Sequence, residues 1–214
     1  MDRVRGDQVR RLDQLVAGKV PPEIQLDLIE AAAARPEPEI RKKLQQYESS
    51  KPKGDPLAPY REVLSGGNAL RGRSIFTDKT ATECLRCHKA RTWNGEIPGG
   101  EVGPELSGIG ARQNRTYLLE SIVDPNKQIA QGFESVVLAT SDGKVITGVL
   151  RGEDDKEVRL ITAEGQPVTV AKGSIEERKR GPSAMPADLV QKLSKTELRD
   201  LVEFLASLRT PPRK

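Results

Sequence analysis

Cys84-Leu85-Arg86-Cys87-His88 is the stretch from which the rest of the chain is read. It is C-x-x-C-H, the attachment signature of a c-type haem. Two thiols at this spacing can add across the two vinyl groups of one porphyrin and form thioether bonds. The adjacent imidazole then lies beneath the iron and binds it from one side. The expected cofactor is one covalent haem c, held by Cys84, Cys87 and His88, with electron transfer as the expected activity.

Two other chemistries use paired cysteines. A structural zinc site wants four ligands, usually Cys and His. This chain has two Cys and one His, all inside the pentapeptide. A thioredoxin-like redox pair follows a strand and opens a helix in a βαβ unit. The lead-in here, Thr77-Asp78-Lys79-Thr80, is polar and not strand-like. A chance pentapeptide is the remaining reading. Haem is preferred because both cysteines and the sole histidine fall in one pattern.

Composition bounds the partners. The 214 residues are 31% charged and only 3% aromatic, which is little aromatic mass for a large core. A haem is a flat apolar body whose burial would compensate. The net charge of +4, with a pI near 9.1, is a mild basic bias of mixed sign. It suits an acidic protein partner and excludes a nucleic-acid footprint. No apolar run approaches the ~18 residues of a membrane span. Met1-Asp2-Arg3-Val4-Arg5 opens on polar residues without the apolar core of a signal peptide. Haem attachment of this type takes place outside the cytosol. The chain is therefore expected to be a piece of a longer periplasmic or otherwise exported protein.

Upstream of the motif, residues 1–48 read as a short helical extension. Val9, Leu12, Leu15 and Val16 follow helical spacing, and Gly18 suits a C-terminal cap. Pro21 and Pro22 open a second helix through Ile24, Leu26, Leu28 and Ile29; a third runs from Ile40 to Tyr47. This is either the last unit of a helical repeat array or a plain helical cap. Residues 49–64, beginning Ser-Ser-Lys-Pro-Lys-Gly-Asp-Pro, read as a linker. A helix near Asn68–Phe76 then places Gly72 and Phe76 on one face, where a glycine lets another helix approach.

Downstream, Gly99-Gly100-Glu101-Val102-Gly103-Pro104 continues into Glu105-Leu106-Ser107-Gly108-Ile109-Gly110. It lacks the spacing and the preceding strand of a dinucleotide loop. Such a loop can press its backbone against a flat ligand. Tyr117, Leu118, Ser121 and Ile122 mark a helix that ends near Asp124-Pro125. From Phe133 the period changes to two. Strands are expected near 133–140, 144–151, 157–163, 167–171 and 174–179, with Asp142-Gly143 as a hairpin turn. Residues 133–180 are read as a small inserted β unit, serving either as a docking surface or as a shield for the haem. A last helix has Ser194 and Glu197 as a capping box, carries Leu198, Leu201, Val202, Leu205 and Leu208, and stops at Pro211-Pro212.

A second iron ligand is scarce. Of the two methionines, Met1 is terminal and Met185 sits on a turn beside Pro186, with Pro182 just upstream. A thioether there is well aimed for iron, though Met185 also reads as core filler. A lysine or an open sixth position are the other choices. Arg112, Tyr117 and Trp93 are candidates for propionate or edge contacts, and each is also an ordinary loop or core residue.

These residues together resemble a class I cytochrome c over residues 65–210. Gly72 and Phe76 match its first helix; Cys84, Cys87 and His88 match the haem site; Met185 matches the distal ligand. Gly103-Pro104-Glu105-Leu106 matches the G-P-x-L loop, which implies that the Pro104 carbonyl accepts the histidine's second N–H. More specifically the chain is similar to the haem-binding domain of large multidomain proteins of planctomycete and verrucomicrobial bacteria. The stretches Gly108–Arg112, Tyr117–Ile122 with Asp124-Pro125-Asn126, Gly132-Phe133-Glu134 and Ser183-Ala184-Met185-Pro186 carry that likeness. It implies helical repeats upstream, with residues 1–48 the last of them, and a mainly α class I cytochrome c fold interrupted by the β unit. It further implies His88 and Met185 as the iron ligands. The expected role is that of an electron-transfer module, not an enzyme by itself. Electrons would come from a redox partner or a dehydrogenase domain of the same polypeptide and pass to a downstream carrier. The rival role is a gas sensor or peroxidase-like domain with an open or labile sixth position. The loops offer no distal histidine for the acid–base work of peroxidase chemistry.

Overall fold

Residues 2–210 are described by a computed structural model, with side chains from residue 6 onward. Met1, one of the two methionines weighed as ligands, and Pro211-Pro212, the expected helix stop, lie outside the described residues.

Three helices open the chain: α1 (Asp2–Val16), α2 (Pro22–Ala33) and α3 (Pro38–Ser50). Proline stands in the first turn of α2 and of α3, where its missing N–H has no intrahelical partner to lose. Leu12, Leu15, Val20, Ile29, Ala32 and Ile40 pack into one cluster between the three. The stretch expected as a linker instead contributes a 3₁₀ helix, Ala58–Leu64, with Ala58 and Val63 buried. Val63 belongs to the main core together with Leu26 of α2. The backbone at Gly66 comes so close to α2 that a Cβ there would lie 2.1 Å from the Glu23 carbonyl oxygen.

The centre is a helix crossing. Helix α4 (Ala69–Asp78) is capped by Asn68, whose side chain accepts from the N–H groups of Leu70 and Arg71. The closing helix α8 (Lys195–Ser207) carries the expected Ser194–Glu197 capping box. They touch at Gly72, where a Cβ would lie 1.9 Å from the Asp200 carbonyl oxygen. The Phe76 and Phe204 rings pack in a tilted pair, 47° between planes and 5.4 Å between ring centres. Asp200, buried, accepts from the Asn68 N–H and from Arg71 Nε, each at 2.7 Å, and so locks the crossing.

Between α4 and α8 lie the elements that carry the motif. Cys84–Cys87 is a single helical turn, α5, followed by a small hairpin of β1 (Ala90–Thr92) and β2 (Gly95–Ile97). Next come the turn α6 (Ile109–Arg112) and helix α7 (Arg115–Val123). A five-stranded antiparallel sheet follows: β3 (Ser135–Thr140), β4 (Val145–Glu153), β5 (Glu157–Ile161), β6 (Pro167–Ala171) and β7 (Ile175–Arg180), in spatial order β6-β5-β4-β3-β7. Gly143, at φ +81°, makes the expected β3–β4 turn possible. Val136, Leu138, Val158, Leu160 and Val170 give the sheet its own core. The β5–β6 turn reaches the motif region: a Cβ on Gly165 would be 3.9 Å from Val102, which is 1% exposed.

The expected mainly α class I cytochrome c fold is corrected by this sheet. The chain is 44% helical and 18% strand, a mixed α+β architecture. The strands between residues 133 and 180 form a complete sheet with a separate apolar core, and a further hairpin follows the motif directly. Among the described residues no helix is long and apolar enough to cross a membrane.

Candidate functional site

The motif turn is set by Glu83, which takes the left-handed φ of +45°, unique among the described non-glycine residues. Such a conformation costs about 1–2 kcal/mol for an L-residue. Thr82 and Glu83 both donate their N–H to the Lys79 carbonyl, and His88 N–H closes the turn onto the Cys84 carbonyl at 2.9 Å. The two sulfurs thus sit one helical turn apart, unpaired with each other and partly buried.

The glycine loop holds this turn from outside. Gly100 N–H donates to Leu85, and Gly103 N–H to Cys87, both at 2.8 Å. A Cβ on Gly99 would lie 1.9 Å from the His88 carbonyl oxygen, and one on Gly100 1.9 Å from that of Arg86. At Gly103 a Cβ would meet the His88 ring at 2.4 Å. The loop's backbone is therefore pressed against the motif itself.

His88 Nδ1 lies 2.8 Å from the Pro104 carbonyl oxygen. A carbonyl only accepts, so Nδ1 carries the proton and Nε2 keeps its lone pair. Burial pushes the His88 pKa down, and the Pro104 contact opposes that only in part. The ring is thus a neutral imidazole fixed in the tautomer that metal ligation through Nε2 requires.

A cavity of about 350 Å³ brings the sequence candidates together. Cys84, Cys87, His88, Pro104, Arg112, Tyr117 and Met185 all line it. Its size suits a bound cofactor, and much of the remaining wall is apolar, including Ile109, Ile122 and Leu189. Arg112 is held at the wall by donating from Nη1 to the Ser107 carbonyl at 3.0 Å. Met185 arrives on the segment after β7, its N–H donating to Ser183 Oγ at 3.2 Å. Trp93 is not there: it is 88% exposed on the β1–β2 turn.

Sequence reasoning missed the wall made by Gln128, Ile129, Ala130 and Phe133. Phe133 was expected to begin a strand, but β3 starts at Ser135; Phe133 lines the cavity, and the Arg151 guanidinium lies over its ring, 4.9 Å from the ring centre. The available signal was Ile129 and Phe133, two isolated apolar residues in a polar connection between α7 and β3.

The arrangement discriminates between the motif's chemistries. Burial raises the pKa of both cysteines, the reverse of an activated dithiol. Among the described residues no group of three or more His, Cys, Asp or Glu side chains is placed to hold a metal ion by itself, so a zinc shell has no fourth partner. Two sulfurs, a neutral imidazole with a free Nε2 and a thioether on one apolar cavity do fit a porphyrin. Neither a protein-family model nor a curated protein matches the chain.

Proposed function

We propose that the chain is a c-type cytochrome module that relays single electrons. One covalent haem c would be held by Cys84 and Cys87, with His88 and Met185 as the residues that would bind its iron. The observation that supports this most is the His88–Pro104 contact: it leaves Nε2 unprotonated on a residue that shares a cavity with both sulfurs and a thioether. A bound haem supplies a one-electron ferric/ferrous couple, and thioether ligation raises its potential.

The protein's own residues would do the rest. Cys84 and Cys87 tether the cofactor without themselves changing redox state. Pro104 keeps the His88 proton on Nδ1 and fixes the ring's orientation. Arg112 stands at the wall for an anionic group. Ile129, Phe133 and the other apolar lining residues exclude water, which limits solvent rearrangement when the charge changes. Electrons would arrive from a dehydrogenase domain of the same polypeptide or a separate redox partner and leave to a downstream carrier, outside the cytosol. His88 is the sole histidine, so no second imidazole can act as a distal acid–base group.

The ferric optical spectrum tests the ligand set. The weak red charge-transfer band of sulfur-to-iron ligation should be present in the wild type and vanish in Met185→Ala. Rapid, complete carbon monoxide binding to the reduced wild-type protein would favour a gas-binding role instead.

A further inference from the structure

The segment that presents Met185 is held by a short chain of polar contacts. It leaves the sheet at Gly181, whose N–H donates to the Ser135 carbonyl at 2.8 Å. Two residues on, Ser183 N–H donates to the side-chain oxygen of Asn126 at 2.9 Å. Ser183 Oγ then accepts the N–H of Met185 itself at 3.2 Å. Asn126 does not line the cavity, yet it sits between two residues that do, Pro125 and Gln128. It therefore joins the wall after α7 to the wall that carries the thioether, across 57 positions of sequence.

Resting on the haem reading, the geometry points to Asn126 as a positioning residue that, through Ser183, holds the Met185 thioether in place and sets how readily another ligand displaces it. The contact is long-range in sequence and exposed to solvent, and its role differs from that of the cavity lining. A thioether is a weak, exchangeable ligand, so its occupancy depends on how firmly its backbone is held. With Met185 tethered only by its flanking chain, the competing state in which the sulfur swings away gains freedom. A single hydrogen bond of this kind contributes about 0.5–1.5 kcal/mol. That corresponds to about a two- to tenfold change in an equilibrium between Met185 and a competitor.

The test uses the haem-loaded full chain and free imidazole as the competing ligand. Wild type, Asn126→Ala, Asn126→Asp and Met185→Ala are compared by the ferric charge-transfer band, the reduction potential and an imidazole titration. Asn126→Ala should retain the haem and bind imidazole about two- to tenfold more tightly, with a weakened band and a lower potential. Asn126→Asp keeps an accepting oxygen for the Ser183 N–H and should restore an affinity close to that of the wild type. A merely structural Asn126 would alter thermal stability while leaving band and imidazole affinity unchanged, and that result overturns the inference. A wild type without haem, or a band that survives Met185→Ala, overturns the parent reading and this inference with it. Asn126→Ala matching the wild type while Met185→Ala loses the band overturns this inference alone.

Discussion

His88 and Gly103 show how a single residue depends on the absence of another's side chain. The imidazole occupies the space a Cβ on residue 103 would need, 2.4 Å from the ring. Gly103→Ala must push His88 off the Pro104 carbonyl or strain the loop. Overpacking of this kind costs about 1–3 kcal/mol. The expected outcome is a lower thermal midpoint together with a changed ferric Soret position; an unchanged spectrum and midpoint would contradict the packing described. C-x-x-C-H announced these three lining residues plainly, because they fall within five consecutive positions. The pairing of His88 with Pro104 rested on resemblance, and the structure supplies its distance. The contribution of Phe133 was hidden, because an isolated aromatic just before an alternating run reads as the first residue of a strand. Trp93 was misleading in the other direction: a large apolar side chain next to the motif suggests burial, but a hairpin turn carries it into solvent.

At the scale of elements, α4 and α8 depend on Gly72 for their contact, and Gly72→Ala would set a Cβ 1.9 Å from the Asp200 carbonyl oxygen. The helices must separate, loosening the Phe76–Phe204 contact. Urea unfolding should show a loss of at least about 1–3 kcal/mol, with no loss if the crossing is looser than described. The 3₁₀ helix Ala58–Leu64 offers a second test. Its Glu62 carboxylate is buried, with Lys51 Nζ at 2.8 Å and the Tyr47 hydroxyl at 2.5 Å. Burial pushes the Glu62 pKa up, but Lys51 and Tyr47 outweigh it and the carboxyl ends below its ordinary value. A depressed carboxyl pKa adds stability that is full above the unfolded value of about 4.3 and is lost as pH falls through the folded value. Glu62→Gln should therefore lower stability at neutral pH and flatten its decline in acid, measured as unfolding midpoints between about pH 3 and 7. An equally steep acid limb in the variant would contradict this.

Elements with strong local signals were legible. Asn68, the Ser194–Glu197 box, Asp142-Gly143 and the alternating β runs each declare an end or a period through local chemistry, and each stands within a few residues of its expected place. The 3₁₀ helix did not declare itself: Pro, Gly and Lys around it read as solvated chain, while Leu57, Ala58 and Val63 fill the core only because α2 and α8 surround them. The β1–β2 hairpin was equally silent, its strands being three residues each with Ala90 and Ile97 turned inward.

For the whole molecule, the sequence suggested a helical haem fold with an ornament, and the structure is a mixed one in which the sheet is a full layer. The difference is one of scale: each strand was readable alone, but nothing local says that five of them close on a core of their own. That layer bears on the site. Its β5–β6 turn abuts Val102, and its first and last strands lead from Phe133 and into the Met185 segment. Sheet and cavity should therefore be coupled, and hydrogen exchange offers a measure. Loading the haem is expected to slow amide exchange at Ser135 and Gly181 as well as around the motif; protection confined to residues 82–106 would show the two to be independent.

The proposed function depends on a porphyrin being joined to the chain through Cys84 and Cys87. The most direct measurement is the intact mass and pyridine haemochrome spectrum of protein matured in a host that attaches haem c. The wild type should carry one haem per chain, retained under denaturing conditions and lost in the double variant Cys84→Ser, Cys87→Ser. A colourless wild-type protein with the mass of the bare chain would contradict the proposal at its root.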